Sequence, residues 1–210
     1  MRNRPTFETE KLLHADGYHM VAGIDEAGRG AWAGPVVAAA VIFAPDFDTS
    51  ELEEVNDSKK MSPYKREYYY GLIFHHALAV STGWESHEDI DRKGILPATK
   101  QAMKKAVAGL SLVPNYLLID YLLLPDINIF QRGIKFGDAL SFSIACASII
   151  AKVTRDRVMV SMEKEYAGYN LRQNKGYGTH EHALGLKKLG PCNIHRKTFR
   201  PVREVMVKIK

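Results

Sequence analysis

The segment from Gly137 to Tyr166 places the strongest constraint on how this chain can fold. Its sequence, GDALSFSIACASIIAKVTRDRVMVSMEKEY, predicts one long helix. Up to Ala151 this helix is apolar on nearly all sides, and beyond that residue it becomes amphipathic. A helix that is apolar all round is stable only where other elements cover it. Because its small alanine and serine side chains permit close packing, we expect the first half to lie in the core.

Shorter patterns predict the elements that cover it. Apolar runs bounded by turn residues indicate strands at residues 20–25, 34–44 and 115–120, and residues 80–86 are predicted as a further strand. The first two strands form a hairpin across a glycine turn. Helices are predicted over residues 5–18, over 62–79 with Ser62 as N-cap and Pro63 in the first turn, and over 96–110 with a stop at Gly109. Strands followed by mixed strands and helices predict an α/β or α+β domain of three layers.

Composition narrows the class of protein. With 210 residues, 46% hydrophobic and 25% charged, the chain fits one sizeable soluble domain. The longest uncharged apolar run, residues 31–45, is too short to span a membrane, and the charged N-terminus lacks the apolar stretch of a signal peptide. Two cysteines, Cys146 and Cys192, favour a reducing compartment. We therefore expect a cytoplasmic protein that binds no membrane.

Charge is distributed unevenly along the chain. Residues 172–210 carry ten Lys and Arg against two acids, a net charge of +8, whereas the remaining residues carry −3. A basic C-terminal segment on a near-neutral body predicts a polyanionic partner, with nucleic acid first. A solubilising tail is the alternative, but interleaved aromatic and histidine side chains such as Tyr177 favour nucleic acid.

Four carboxylates occupy positions that can meet. Asp25 and Glu26 end one apolar strand, Asp120 ends another, and Asp138 opens the predicted long helix. Taken singly each has an ordinary explanation, and Asp138 stands at a natural N-cap position. Adjacent strands would gather them, and their repulsion then requires divalent cations. Oxygen ligands select Mg²⁺ or Mn²⁺, and two such ions can stabilise the attacking and leaving oxygens of a phosphodiester displacement.

Other sites have weaker support. The stretch GRGAWA at 28–33 fits a dinucleotide fingerprint, but Pro35 and the apolar run behind it predict a strand where that motif needs a helix. A calcium loop at 46–57 has Glu51 where the sharp turn needs glycine. The histidines and cysteines lack zinc-ligand spacing.

Together these motifs resemble those of type 2 ribonucleases H (ribonuclease HII), and the likeness covers residues 8–204. The motifs are GIDEAGRGAWAGPVV at 23–37, NDSKKMS at 56–62, LLID at 117–120, GDALSFSIACASIIAKVTRDR at 137–157, NKGYGTHEH at 174–182 and GPCNIHRKTFRPV at 190–202. Two departures stand out. Tyr121 replaces the usual glycine after the third motif, and Ala31-Trp32 replaces a frequent Pro-Leu.

The resemblance implies roles for nine residues. The family's four metal-binding, catalytic acids fall on Asp25, Glu26, Asp120 and Asp138; its substrate-binding positions fall on the Gly28-Arg29-Gly30 turn, on Lys59 as a phosphate contact and on Tyr177 at the RNA–DNA junction.

The resemblance also implies an α/β, ribonuclease H-like fold. It has a mixed five-stranded sheet flanked by helices, with residues 1–165 as the catalytic part and a small helical, basic region at 166–210 completing the cleft of the same compact unit. The implied activity uses two Mn²⁺ or Mg²⁺ ions to cut the RNA strand of RNA–DNA hybrids and to cut 5′ of ribonucleotides in duplex DNA. Such cutting leaves 3′-hydroxyl and 5′-phosphate ends and serves ribonucleotide excision repair and DNA replication. We expect a monomer. A hybrid-binding module without activity and a nuclease specific for DNA are the alternatives.

Overall fold

The computed structural model describes residues 4–209. Its helices are α1 (Glu8–Ala15), α2 (Pro63–His76), α3 (His87–Lys93), α4 (Ile95–Ala108), α5 (Gly137–Leu140), α6 (Phe142–Met162), α7 (Leu171–Asn174), α8 (His180–Leu189) and α9 (Arg200–Ile209). Its strands are β1 (Val21–Ala27), β2 (Val36–Ile42), β3 (Ala79–Glu85), β4 (Tyr116–Asp120) and β5 (Phe130–Ile134). Between residues 4 and 209, no helix combines the length and apolar character that crossing a bilayer requires.

The five strands form one mixed sheet in the order β3-β2-β1-β4-β5. Strands β1, β2 and β3 pair antiparallel as a meander, so the predicted hairpin is confirmed. Strand β4 joins β1 in parallel, and β5 joins β4 in parallel. With helices on both faces, this sheet confirms the predicted α/β class.

Helices α6 and α4 cover opposite faces of the sheet. Along β2 every residue is buried, and its side chains alternate between the two sides. Ala39 and Val41 pack in the core cluster that contains α6, whereas Ala38 and Ala40 pack in the cluster that contains α4. All residues from 142 to 151 are buried, which confirms that the first half of the long helix lies in the core.

The predicted single helix over 137–166 is wrong at both ends. The backbone is extended at Ser141, which separates α5 from α6, and α6 ends at Met162. The break arises because residue 141 pairs with the N-terminal segment: Thr6 donates to the Leu140 carbonyl at 3.1 Å and accepts from the Phe142 amide at 3.0 Å. Ser141, rather than Asp138, is the N-cap of α6, so the N-cap explanation of Asp138 does not apply.

Two elements lie outside the strand and helix patterns. Strand β5, with the sequence FQRGI, is an edge strand whose side chains are exposed or half-buried, so it lacks the apolar signal of a core strand. Helix α3 spans only seven residues and begins at the Ser86 N-cap, whose side chain accepts from the Asp89 amide. Strand β5 is therefore recognisable only from its neighbours in space, whereas the Ser86 N-cap is a local signal for α3.

Candidate active site

The parallel pairing of β1 with β4 brings carboxylates from two distant motifs to one sheet edge. Ile24 pairs with Ile119, so the next residues, Asp25 and Asp120, lie side by side. One oxygen of Asp120, Oδ1, accepts from the Gly137 amide at 2.7 Å. This hydrogen bond places the start of α5, and with it Asp138, next to the same edge.

A cavity of about 380 Å³ opens at this edge. Its lining includes eight of the nine residues predicted for the site, namely Asp25, Glu26, Gly28, Arg29, Gly30, Lys59, Asp120 and Tyr177. Asp138 lines an adjoining cavity of about 550 Å³ instead. Lys59 connects the two cavities, because its Nζ lies 3.2 Å from Asp138 Oδ2.

Burial and crowding raise the pKa values of three of the carboxyl groups. Burial raises the pKa of Asp25 well above its ordinary value, and the charges of Glu26 and Asp120 raise it further. Burial also raises the pKa of Glu26, although Arg29 at 3.2 Å opposes the shift. The pKa of Asp120 is raised chiefly by burial. The cluster therefore concentrates negative charge that the folded protein stabilises poorly by itself.

The chemistry of these groups fits a hard divalent cation. The only ligand atoms offered by the four acids are oxygens, which suit Mg²⁺ or Mn²⁺. Glu26 Oε2 is buried, and within residues 4–209 it has no hydrogen-bond partner. A buried charged oxygen of this kind is costly unless a cation or a donor meets it. The residues present therefore fit a metal ion.

The acids are engaged by cationic side chains in the structure. Arg29 forms an ion pair with Glu26, and Lys59 forms one with Asp138. Within the described range no three His, Cys, Asp or Glu side chains are grouped tightly enough to hold a metal ion as they stand. Each ion pair uses one carboxylate oxygen, Glu26 Oε1 and Asp138 Oδ2, so Glu26 Oε2 is left for a metal ion.

The two glycines in the turn after β1 differ in what surrounds them. Gly28 has a φ of 97°, and a Cβ there would lie 2.0 Å from Nε of Arg155. Packing and backbone geometry therefore both require glycine at this position. Gly30 has an ordinary φ, and within residues 4–209 a Cβ there would meet no atom within 4 Å. Nothing in the described part of the chain demands glycine at Gly30, so the open space in front of it is available to a ligand.

Tyr177 reaches the same cavity from the C-terminal region. Its ring centroid lies 5.3 Å from Lys152 Nζ and 5.1 Å from Arg155 Cζ, so two cationic side chains contact the ring. The preceding residue, Gly176, accepts from the Trp32 amide at 2.7 Å. The loop that carries Tyr177 is thus attached directly to the loop after β1.

Two buried arginines that no local sequence pattern indicated support the site. Arg155 donates to the carbonyls of Pro35, Lys175 and Ala33 at 2.9–3.1 Å. Arg196 donates to the carbonyls of Gly34, Arg29 and Pro35 at 3.0–3.1 Å. Both side chains are fully buried. The prediction that the basic residues of 172–210 face nucleic acid is therefore wrong for Arg196, whose charge satisfies the backbone of residues 29–35.

The site opens into a larger basic groove of about 820 Å³, which shares Lys152 and Tyr177 with the acidic cavity. Its cationic lining residues are Arg66, Lys152, Arg157, Lys164, Arg172 and Lys175. The two acids in the lining, Glu67 and Asp156, are paired with Arg157 and Lys152. Four of the six cations come from α2, α6 and the residues just after α6, and only two come from residues 172–210. The uneven charge along the sequence therefore indicated only part of this surface.

Comparison with known proteins gives a consistent result. A family model described as Ribonuclease HII matches residues 22–202. A ribonuclease HII from Dehalococcoides mccartyi is 52% identical over 199 residues, covering 95% of this chain and 94% of the relative. The ribonuclease H2 structure from Pyrococcus horikoshii superposes with a TM-score of 0.74 at 23% identity, covering 90% of this chain and 97% of that one. Bst-RNase HIII, solved in complex with Mn²⁺, superposes with a TM-score of 0.71 at 18% identity, covering 94% and 72%.

Proposed function

Because this chain belongs to the ribonuclease HII family and is therefore an endoribonuclease that acts on RNA–DNA hybrids, we propose that it also cuts 5′ of single ribonucleotides embedded in duplex DNA. The products carry 3′-hydroxyl and 5′-phosphate ends. One observation carries this proposal: Tyr177, the Gly28-Arg29-Gly30 turn and three of the acids line a single cavity. A site that must recognise one ribonucleotide needs such groups within reach of the same nucleotide.

We assign Asp25, Glu26, Asp120 and Asp138 as the ligands of two Mg²⁺ or Mn²⁺ ions. Bound there, the ions would neutralise charge on the scissile phosphate and activate water near neutral pH. Lys59 adds a cation of the protein's own. Burial lowers the pKa of Lys59, but the charge and hydrogen bond of Asp138 outweigh that effect and raise it overall. Lys59 therefore stays protonated and can contact a phosphate oxygen.

Recognition of RNA rests on the 2′-hydroxyl, which both donates and accepts hydrogen bonds. The open face of Gly30 lets backbone groups approach this hydroxyl, since no Cβ intervenes. Tyr177 offers a flat ring and a phenol to the neighbouring deoxynucleotide sugar. The two groups face one cavity, so a single nucleotide step can contact both.

The duplex would continue along the basic groove. We propose that residues 1–165 form the catalytic part and that residues 166–210 complete the cleft as part of one compact unit. Arg172 and Lys175 contribute from the C-terminal region, and Lys164 contributes from the end of the catalytic part. Cations along such a groove position the phosphate backbone without reading sequence.

The direct test is cleavage of a DNA duplex that contains one ribonucleotide, with Mg²⁺ or Mn²⁺ added. We expect a single cut on the 5′ side of the ribonucleotide and products that carry the stated ends. An all-DNA duplex of the same sequence is the control and should stay intact. Cutting of the control duplex would instead indicate a nuclease specific for DNA, and an uncut ribonucleotide duplex together with a cleaved RNA–DNA hybrid would refute the proposal.

The role of Tyr177 has its own test. Tyr177→Ala should lower kcat/KM on the single-ribonucleotide duplex, and Tyr177→Phe separates the contribution of the hydroxyl from that of the ring. Loss of one hydrogen bond costs about 0.5–1.5 kcal/mol, or about two- to tenfold in rate. Binding of all-DNA duplex should barely change, because phosphate contacts dominate it. Equal kcat/KM for Tyr177→Ala and the unsubstituted enzyme would rule the role out.

A further inference from the structure

Two buried histidines lie behind Tyr177. His182 is in the first turn of α8, His195 is in the segment before α9, and neither has exposed surface. Their Nε2 atoms are 3.1 Å apart. At the outer ends, His182 Nδ1 lies 2.9 Å from the Tyr177 carbonyl oxygen, and His195 Nδ1 lies 3.0 Å from the Cys192 amide nitrogen. The four groups form a continuous chain of hydrogen bonds.

The backbone groups at its two ends determine the direction of this chain. The Tyr177 carbonyl can only accept, so His182 carries its proton on Nδ1 and its Nε2 accepts. The proton between the two rings therefore belongs to His195 Nε2. His195 Nδ1 is then an acceptor, which matches the Cys192 amide that donates to it. Only one pair of tautomers satisfies these three hydrogen bonds. The Cys192 thiol, whose Sγ lies 3.1 Å from His195 Nδ1, can donate to the same acceptor nitrogen.

The surroundings keep both rings neutral. Burial lowers the pKa of His195 to about 4, and the nearby His182 adds to the effect. Burial also lowers the pKa of His182. Aromatic rings pack around the pair: the ring centroids of Trp32 and His182 are 5.4 Å apart, and those of Tyr169 and His195 are 4.8 Å apart. A proton added to either ring would place two N–H groups face to face in this packed interior.

The backbone is what places Tyr177. Its carbonyl accepts from His182 Nδ1 and from the Thr179 amide at 2.8 Å, and its amide donates to the Asn174 carbonyl at 2.9 Å. Within residues 4–209 the phenol hydroxyl makes no side-chain hydrogen bond, and the ring contacts the cations of Lys152 and Arg155. The hydrogen bonds of the carbonyl fix the backbone from which the ring extends toward the cavity, and the two cations contact the ring itself.

We propose that His182 and His195 are positioning residues, which form a directional hydrogen-bond relay from the Cys192 amide to the Tyr177 carbonyl and so hold Tyr177 against the substrate. This inference rests on the proposed role of Tyr177 at the RNA–DNA junction. It assigns to the GYGTHEH and CNIHR motifs a function in substrate discrimination. Neither histidine contacts the substrate.

The first test needs no substitution. In ¹⁵N-labelled full-length protein at neutral pH, imidazole nitrogen shifts and couplings should report His182 protonated on Nδ1 and His195 protonated on Nε2. These opposite tautomers are the result that supports the relay. Protonation of His182 on Nε2, or a charged imidazolium at either position, would overturn it.

The second test uses a matched pair of substitutions. In His182→Asn the side-chain amide lies near the former Nδ1 and can still donate to the Tyr177 carbonyl, whereas in His182→Gln it lies near the former Nε2 and cannot. The readout is the ratio of kcat/KM on a single-ribonucleotide duplex to kcat/KM on an RNA–DNA hybrid. We expect His182→Gln to lower this ratio by about two- to tenfold and His182→Asn to retain more of it. The exposed His180→Gln is the control, with an unchanged ratio.

A Tyr177→Ala background separates positioning from general packing. If the relay acts through Tyr177, His182→Gln should change the ratio little once Tyr177 is alanine. Equal ratios for His182→Asn and His182→Gln, or a full additional loss in the Tyr177→Ala background, would overturn the relay while leaving the role of Tyr177 intact. An unchanged ratio in Tyr177→Ala alone would instead refute the role of Tyr177, and the relay with it.

Discussion

The basic groove makes a quantitative prediction about the salt dependence of binding. Lys164, Arg172 and Lys175 line it, and within residues 4–209 none of them forms an ion pair. We would replace all three with alanine. Lys152 and Arg157 stay in place, because their charges are already engaged by Asp156 and Glu67.

The expected magnitude follows from counterion release. Each phosphate contact contributes about −0.9 to the slope of log affinity against log salt concentration, so loss of three contacts should flatten the slope by about 2.7. At 0.1 M salt this corresponds to roughly 500-fold weaker binding, and the difference should vanish as salt approaches 1 M. Convergence at high salt distinguishes lost phosphate contacts from a damaged fold.

The assay is fluorescence anisotropy of a labelled RNA–DNA hybrid in chelator-containing buffer over a series of KCl concentrations. A matched control replaces Lys187, Lys188 and Lys208 with alanine, since these residues are exposed and line neither cavity. It removes the same net charge from residues outside both cavities. If the control flattens the slope as much as the groove variant does, or if the groove variant keeps the original slope, the groove is not the path of the phosphate backbone.

Three further experiments test the site and its supports. Asp25→Asn should abolish cleavage, and in metal-free buffer at neutral pH it should raise the free energy of unfolding. Folding raises the pKa of Asp25, so ionisation of Asp25 opposes folding above the ordinary carboxyl pKa. The stability gained by Asp25→Asn should therefore shrink as pH falls through the raised pKa. A stability gain that grows on acidification would contradict the assignment. Tyr121 has a φ of 61°, so Tyr121→Gly should be about 0.5–1 kcal/mol more stable than Tyr121→Ala in urea unfolding. As a control, Ala108→Gly at the exposed end of α4 should lose stability. If alanine is more stable than glycine at both positions, Tyr121 is not strained. Gly28→Ala should lower the unfolding midpoint, whereas Gly30→Ala should leave the midpoint unchanged and slow cleavage of the ribonucleotide duplex. Equal midpoints for the two variants would show that packing does not require Gly28.

Elements that depend on residues close together in the chain were predictable from the sequence. Ser62 and Pro63 begin α2 as expected, and Gly109 follows the end of α4. The apolar runs formed β1, β2 and β4 because strand burial leaves a local mark on composition, and the segment predicted at 80–86 formed β3, which is only partly buried. The position of Asp120 at a strand end was predictable for the same reason.

Contacts between distant segments were not predictable in this way. The break at Ser141 depends on Thr6, more than a hundred residues earlier, and no local pattern records it. The burial of Arg196 depends on carbonyl groups of residues 29–35 that converge around it, since an arginine in a basic segment otherwise predicts an exposed cation. Asp138 lines the neighbouring cavity rather than the shared one, and it lies on the short α5, which the sequence did not separate from α6.

The order of strands in the sheet also bears on how the protein folds. The β1–β2–β3 meander joins neighbouring segments, whereas β1 meets β4 across roughly 95 residues of chain, which makes that pairing slower to form. We therefore expect pulse-labelled amides in the meander to gain protection before those of β4, and simultaneous protection would contradict this order. Asp25 and Glu26 would then meet Asp120 only in the last stage of folding. A divalent ion bound among them should consequently slow unfolding while leaving the folding rate nearly unchanged.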